Sequence, residues 1–220
     1  MSEELTGAPT FLDKFPQEAA VVRAALWSSF IALALGAVFG VIQALHRTDI
    51  LRVIDSTDYY TVLTAHGVLM VISFTIFFLV GAFTWAIVRS FDRNVEDIRY
   101  TWTWYGMMVT GTLMAVVAIL GGFVDSIDLS ADVLYTFYAP LQGHPLFYGG
   151  LAIFLIGTWL AGADWFRTWW AWKADNPDER IPLQTFMVLT TMLMWYVASI
   201  GITIAVVGFL LPWSLGIFDQ

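Results

Sequence analysis

Apolar residues in this chain do not recur with the alternation of a half-buried strand or the stripe of a helix on a soluble core; they run on almost unbroken. Five stretches, Val21 to Leu45, Thr61 to Val88, Trp104 to Phe123, Leu146 to Trp165 and Leu183 to Leu211, are apolar nearly all round. A helix that crosses a bilayer needs about 20 such residues, and a helix apolar on every face is enclosed by lipid or by other helices. The pattern predicts an all-α integral membrane protein with five transmembrane helices. Residues 1–20 form a polar arm carrying Glu3, Glu4, Asp13 and Glu18, residues 21–211 form the membrane domain, and residues 212–220 form a short tail. The first run is too long for the hydrophobic region of a signal peptide and follows an acidic arm, so it is expected to stay attached.

Basic residues orient the helices. With the N-terminus in the cytoplasm, Lys14, Arg23, Arg89, Arg93, Arg99, Arg167, Lys173 and Arg180 flank the inner ends, and only Arg47 and Arg52 lie outside. That asymmetry predicts an inside N-terminus and an outside C-terminus. Aromatic residues gather at the span ends, with Trp102, Trp104 and Tyr105 opening the third run and Trp165, Trp169, Trp170 and Trp172 closing the fourth. Such belts sit at membrane–water interfaces.

Composition supports the membrane reading and narrows the chemistry. The chain is 59% hydrophobic and 13% charged, with a mean hydropathy of +0.72. Its formal net charge of -8 argues against a nucleic-acid partner. There is no cysteine, which removes disulfides, thiolate zinc sites, iron–sulfur clusters and thiolate-bridged copper from this chain. Phosphate-binding loops, nucleophile elbows, zinc-protease motifs and EF-hands are also missing.

Three histidines remain. His46 emerges from the first run beside Arg47 and Asp49, where solvation accounts for it. His144 stands in Gly143-His144-Pro145, a helix-start sequence, and a neighbour of a proton path or redox site would fit there too. His66 differs, because it lies inside the second apolar run, among Leu63, Val68, Leu69, Val71, Ile72 and Phe74. An ionisable side chain at membrane depth is costly unless it is paired, liganded or wet, which makes it a functional-site hypothesis. An imidazole hydrogen-bonded to a neighbouring helix and an imidazole ligating a metal both fit. No second histidine or carboxylate sits one turn away, so zinc or copper would lack ligands. Haem needs only one or two axial ligands and an apolar slot. Gly36 and Gly40 form a small-xxx-small pair in the first run, suited to close helix packing or to admitting a flat macrocycle.

Several segments carry a more specific likeness. Gly36-Ala37-Val38-Phe39-Gly40-Val41-Ile42-Gln43-Ala44-Leu45, then Tyr59-Tyr60, Leu63-Thr64-Ala65-His66-Gly67-Val68-Leu69 and Phe74-Thr75, resemble the first two helices of the catalytic subunit of B-type haem–copper terminal oxidases. Val133-Leu134-Tyr135-Thr136-Phe137-Tyr138-Ala139-Pro140-Leu141-Gln142-Gly143-His144 resembles that subunit's outer loop between helices three and four. Leu193-Met194-Trp195-Tyr196-Val197-Ala198-Ser199 and Leu210-Leu211-Pro212-Trp213-Ser214 resemble its fifth helix and exit. The likeness runs from about Glu18 to Gln220 and implies five helices of a twelve-helix bundle. It implies that His66 is one axial ligand of the low-spin haem iron. It also places Tyr135 near the oxygen-reducing centre, although an interfacial aromatic accounts for Tyr135 equally well. Where the family commonly has two prolines in this loop, the chain has Ala139 and Pro140.

What this family places in its later helices is absent. The copper-ligating histidines, the crosslinked tyrosine motif, the second low-spin ligand and the ligand of the high-spin haem have no counterpart here. The resemblance therefore implies an N-terminal portion of a terminal oxidase subunit that is inactive alone and has no catalytic residue of its own. High-spin haem and copper would come only with further helices. The partners implied are those helices, a copper-containing second subunit, cytochrome c or a small copper protein as electron donor, and the lipid bilayer. The complete enzyme would reduce oxygen to water with electron transfer and proton uptake. A nitric oxide reductase-like subunit and a non-enzymatic haem carrier or scaffold are the alternatives.

Overall fold

Each of the five apolar runs forms a helix long enough to cross a bilayer. The structure is a computed structural model that describes residues 9–48, 54–124, 129 and 143–217. A single-turn helix α1, Phe11–Lys14, leads into α2, Pro16–Arg47. The second span is composite: α3, Ser56–Gly67, passes through a π-helical segment, Val68–Phe74, into α4, Thr75–Phe91. The third and fourth are α5, Ile98–Gly121, and α6, Pro145–Asp175. The fifth repeats the composite form, with α7, Leu183–Thr203, a π-helical segment Ile204–Leu210, and α8, Leu211–Ser214. The described residues contain no strand.

Most of these helices outrun their apolar stretches. The fourth reaches Asp175 rather than Trp165, because interfacial Trp, Arg and Lys residues are competent helix formers and a polar side chain does not terminate a helix. Termination comes at Asn176, ahead of Pro177. Starts are likewise chemical: Asp55 accepts from Asp58 N, Asp97 from Arg99 N and His144 from Leu146 N, each capping a helix N-terminus. The second span ends on Asp92, whose φ of 53° places it in the left-handed region typical of the residue after a helix.

Small residues set the packing. An added Cβ on Gly111 would lie 2.4 Å from the Gly150 carbonyl oxygen, and one on Gly150 would lie 2.6 Å from that of Gly111, so α5 and α6 touch backbone to backbone. Such close approach is how apolar helices gain contact in lipid, where burial away from water gives no driving force. Gly81 brings α4 against Ala25 and the Val22 carbonyl of α2 in the same way. Around these contacts Trp104, Met108, Phe77, Phe154 and Trp165 form the main core, with Phe77 edge-on to Phe154 at 5.8 Å. A second cluster, Ala65, Ala118, Phe147, Tyr148 and Val206, fills the other half of the bundle.

One end of the bundle gathers the start of α2, the connection between α4 and α5, and the connection between α6 and α7. Lys14 pairs with Asp92, and Arg93 pairs with Asp175 and, at 3.0 Å, with Glu96. Glu18 is buried and its Oε1 accepts from Asn94 Nδ2 at 2.9 Å and Val95 N at 3.2 Å, tying α2 to the connection. Phe91 stacks on Trp172 at 4.6 Å beneath these charges. Thr10 and Asp13 close a capping box at the start of α1, and those hydrogen bonds hold the Asp13 carboxyl below its ordinary range. Asp175 and Glu96 push the Arg93 guanidinium the other way, upward.

Candidate functional site

His66 lies on the last turn of α3, against α2, immediately before the π-helical segment. Its Nδ1 is 2.8 Å from the Gly36 carbonyl oxygen. A carbonyl only accepts, so Nδ1 carries the hydrogen and donates it. A neutral imidazole with hydrogen on Nδ1 has its lone pair on Nε2. No described residue hydrogen-bonds Nε2, so the ring is oriented by one nitrogen and presents the other as a ligand atom. Metal-ligating histidines are commonly held this way, with the far nitrogen donating to a backbone carbonyl.

Gly40 provides the space for this arrangement. A Cβ there would stand 2.9 Å from Cε1 and 3.0 Å from Nδ1 of His66, so the ring rests on bare helix backbone. One turn earlier, a Cβ on Gly36 would fall 2.8 Å from both Cγ and Sδ of Met70. The small-xxx-small pair therefore acts on consecutive turns of the second span: Gly36 admits Met70 and supplies the acceptor, and Gly40 admits the imidazole. Close to this seam, buried Gln43 donates from Nε2 to the Val62 carbonyl at 3.4 Å. The π-helical turn beyond Gly67 shifts the register of the helix just after the histidine, a feature often found at functional sites.

The other histidines are engaged differently. His144 Nδ1 accepts from Leu146 N at 3.1 Å as the cap of α6. His46 leans on Tyr59 with ring centroids 5.1 Å apart, and its Nδ1 is buried without a hydrogen-bond partner among the described residues. Tyr135 lies outside the described residues. Among the described residues no three His, Asp or Glu side chains converge as a metal cage. A lone imidazole can serve a haem, which asks for only one or two ligands from protein, and the role of Gly36 and Gly40 here is to seat Met70 and the imidazole itself.

A second buried polar group escaped the sequence reading. Asp164 on α6 is fully buried, accepts from Trp104 Nε1 at 3.0 Å and lies 2.6 Å from the Thr101 hydroxyl. The signal was present: a lone acidic residue within an apolar, aromatic stretch. It was masked because the fourth apolar run ends at Trp165, which makes Asp164 look like an interfacial flank.

Comparison with known proteins agrees with this architecture. Residues 20–220 match the family described as cytochrome c and quinol oxidase polypeptide I. The chain is 35% identical over 199 residues to cytochrome c oxidase subunit 1 of Thermus thermophilus, an alignment that covers 86% of this chain and 34% of that protein. It also superposes, with a TM-score of 0.83 and 33% identity, on a chain of a heme-copper terminal oxidase dimer determined by cryo-EM, over 92% of this chain and 34% of that one. The chain thus spans about a third of the length of the relatives it matches.

Proposed function

Because this chain belongs to the cytochrome c and quinol oxidase polypeptide I family, a multi-pass protein of the cell membrane, we propose that it forms one side of the low-spin haem site in the catalytic subunit of a B-type haem–copper terminal oxidase. The observation that carries the proposal is the His66 imidazole, with Nδ1 donating to Gly36 O at 2.8 Å and Nε2 left to bind iron. When bound, the haem supplies one-electron redox chemistry that no side chain here possesses. His66 would ligate it, the Gly36 carbonyl would fix the ring plane and tautomer, and the apolar faces of α2 and α3 would keep water from the iron. With three histidines in all, the chain does not hold the ligands of a high-spin haem and copper centre, and alone it is inactive. Further helices would supply that centre, and a copper-containing second subunit would pass electrons from cytochrome c or a small copper protein.

The charged end of the bundle faces the cytoplasm in this reading, since it collects Lys14, Arg89, Arg93, Arg167 and Lys173. Protons for oxygen reduction would be drawn from that side. Gas uptake by the full-length subunit in its membrane complex tests the reaction. Oxygen consumption with reduced cytochrome c or small copper protein is the expected result. Nitric oxide reduction without oxygen consumption would move the chain to the reductase branch, and haem absorbance with neither activity would make it a carrier.

A further inference from the structure

We propose that Asp164 is a proton-binding site inside the bundle, held as the neutral carboxylic acid with its proton on Oδ2, shared with Thr101. The proposal is independent of the haem. Its basis is a count of hydrogens. The Thr101 hydroxyl lies 2.6 Å from Asp164 Oδ2 and 3.3 Å from the Asp97 backbone oxygen. A threonine hydroxyl has one proton to give. With an ionised Asp164 that one hydrogen would have to be divided between the two oxygens; each contact has a hydrogen of its own when Asp164 brings the proton between the two side chains, so that Oδ2–H donates to Thr101 Oγ1 and Oγ1–H donates to Asp97 O. Trp104 Nε1, at 3.0 Å, donates to the same Oδ2, whose hydroxyl oxygen still accepts.

The remaining oxygen points the same way. Asp164 Oδ1 is buried and has no hydrogen-bond partner among the described residues. An ionised carboxylate spreads its charge over both oxygens, so a bare Oδ1 in an apolar bundle would leave half a charge unsolvated. A bare carbonyl oxygen of a neutral acid costs far less. Nor is a cation paired with the carboxyl among the described residues; Arg167 acts on it only through space. The ionisable groups in electrostatic reach are Asp97 and Tyr100 on α5 and Arg167 on α6 itself. Arg167 is spread over the Tyr100 ring, 4.9 Å from its centroid, and no ion pair joins it to Asp164 among the described residues. From α7 comes the Tyr196 phenol, in electrostatic reach of Tyr100, which donates to the Trp159 carbonyl at 2.7 Å. From α4 comes Thr84, an uncharged hydroxyl that accepts from Trp165 Nε1. Thr101 is therefore the hydroxyl that shares the proton, and its own hydrogen is directed to the backbone oxygen of Asp97 at the α5 N-terminus.

Infrared spectroscopy of the full-length protein in its membrane complex, with aspartate carboxyls labelled with carbon-13, tests this. The expected result is a protonated-carboxyl C=O band that moves with the label and on deuterium exchange. It should persist at neutral pH and vanish in Asp164→Asn, an isosteric change that keeps an oxygen for Trp104. Thr101→Val, which removes the hydroxyl partner, should move the same band to higher frequency. Loss of a carboxylate stretch in Asp164→Asn, with every protonated-acid band retained, would overturn the proposal and make Asp164 an ionised strut. Should Asp164→Asn fail to assemble, Thr101→Val decides: an acid band that does not shift overturns it equally.

Discussion

At His66 the decisive fact is a relation between two helices. Its spacing within an apolar run marks it as costly in lipid, and that much is legible in the chain. What holds the ring cannot be read there, because Gly36 and His66 are thirty residues apart and a carbonyl acceptor leaves no trace in residue type. The glycine pair was visible but open between packing and cofactor; the structure gives Gly40 a definite task beneath the imidazole. Gly40→Ala places a methyl group 2.9 Å from Cε1, so the ring must tilt or the helices must part. Haem content and the low-spin optical band of the membrane complex should both fall in Gly40→Ala. Gly36→Ala, which meets the end of the flexible Met70 side chain, should lose less. An unaltered band in Gly40→Ala would show that the ring is not seated on that glycine.

Among the elements, α5 and α6 are joined by the tightest contact. The five helices were readable because apolar length is a strong signal. The π-helical segments Val68–Phe74 and Ile204–Leu210 were not, since nothing in residue type separates i+5 from i+4 hydrogen bonding in an apolar run. Helix ends do not coincide with the ends of the apolar runs for a similar reason: hydropathy finds the lipid core, whereas caps such as His144 and breakers such as Pro177 set the helix ends. The backbone contact at Gly111 and Gly150 gives a measurable consequence. Gly111→Ala puts a Cβ against the Gly150 carbonyl and should destabilise the bundle by about 1–3 kcal/mol, the usual cost of overpacking. Gly106→Ala, with nothing within 4 Å of the new Cβ, should be neutral or stabilising by up to about 1 kcal/mol through helix propensity. Thermal denaturation of the two variants in one detergent separates them, and equal losses would refute the close approach.

Across the whole molecule, the charged end works as a clamp that ties the arm before α2 to the α4–α5 and α6–α7 connections. The Asp13 carboxyl is held below its ordinary range by Thr10, so its contribution is present above the unfolded carboxylate range and lost as pH falls through the folded value. Arg93 is shifted upward, so its share is complete at all lower pH and disappears only in strong alkali. The Asp13 and Arg93 contributions should therefore be flat across neutral pH, with the Asp13 share lost in acid. Tryptic cleavage after Lys14, followed against pH, should stay slow at neutral pH and accelerate at the acid limit of the protease. Acceleration near pH 6–7, where histidine titrates, would contradict this. A bundle built this way has His66 on one flank and its charges at one end, and it belongs to a family whose matched members are about three times its length. The measurement that bears most directly on the account is the reduced-minus-oxidised optical spectrum of the full-length membrane complex carrying His66→Ala. Loss of the low-spin haem band, with the complex still assembled, is the predicted result; an unchanged band would contradict ligation by His66.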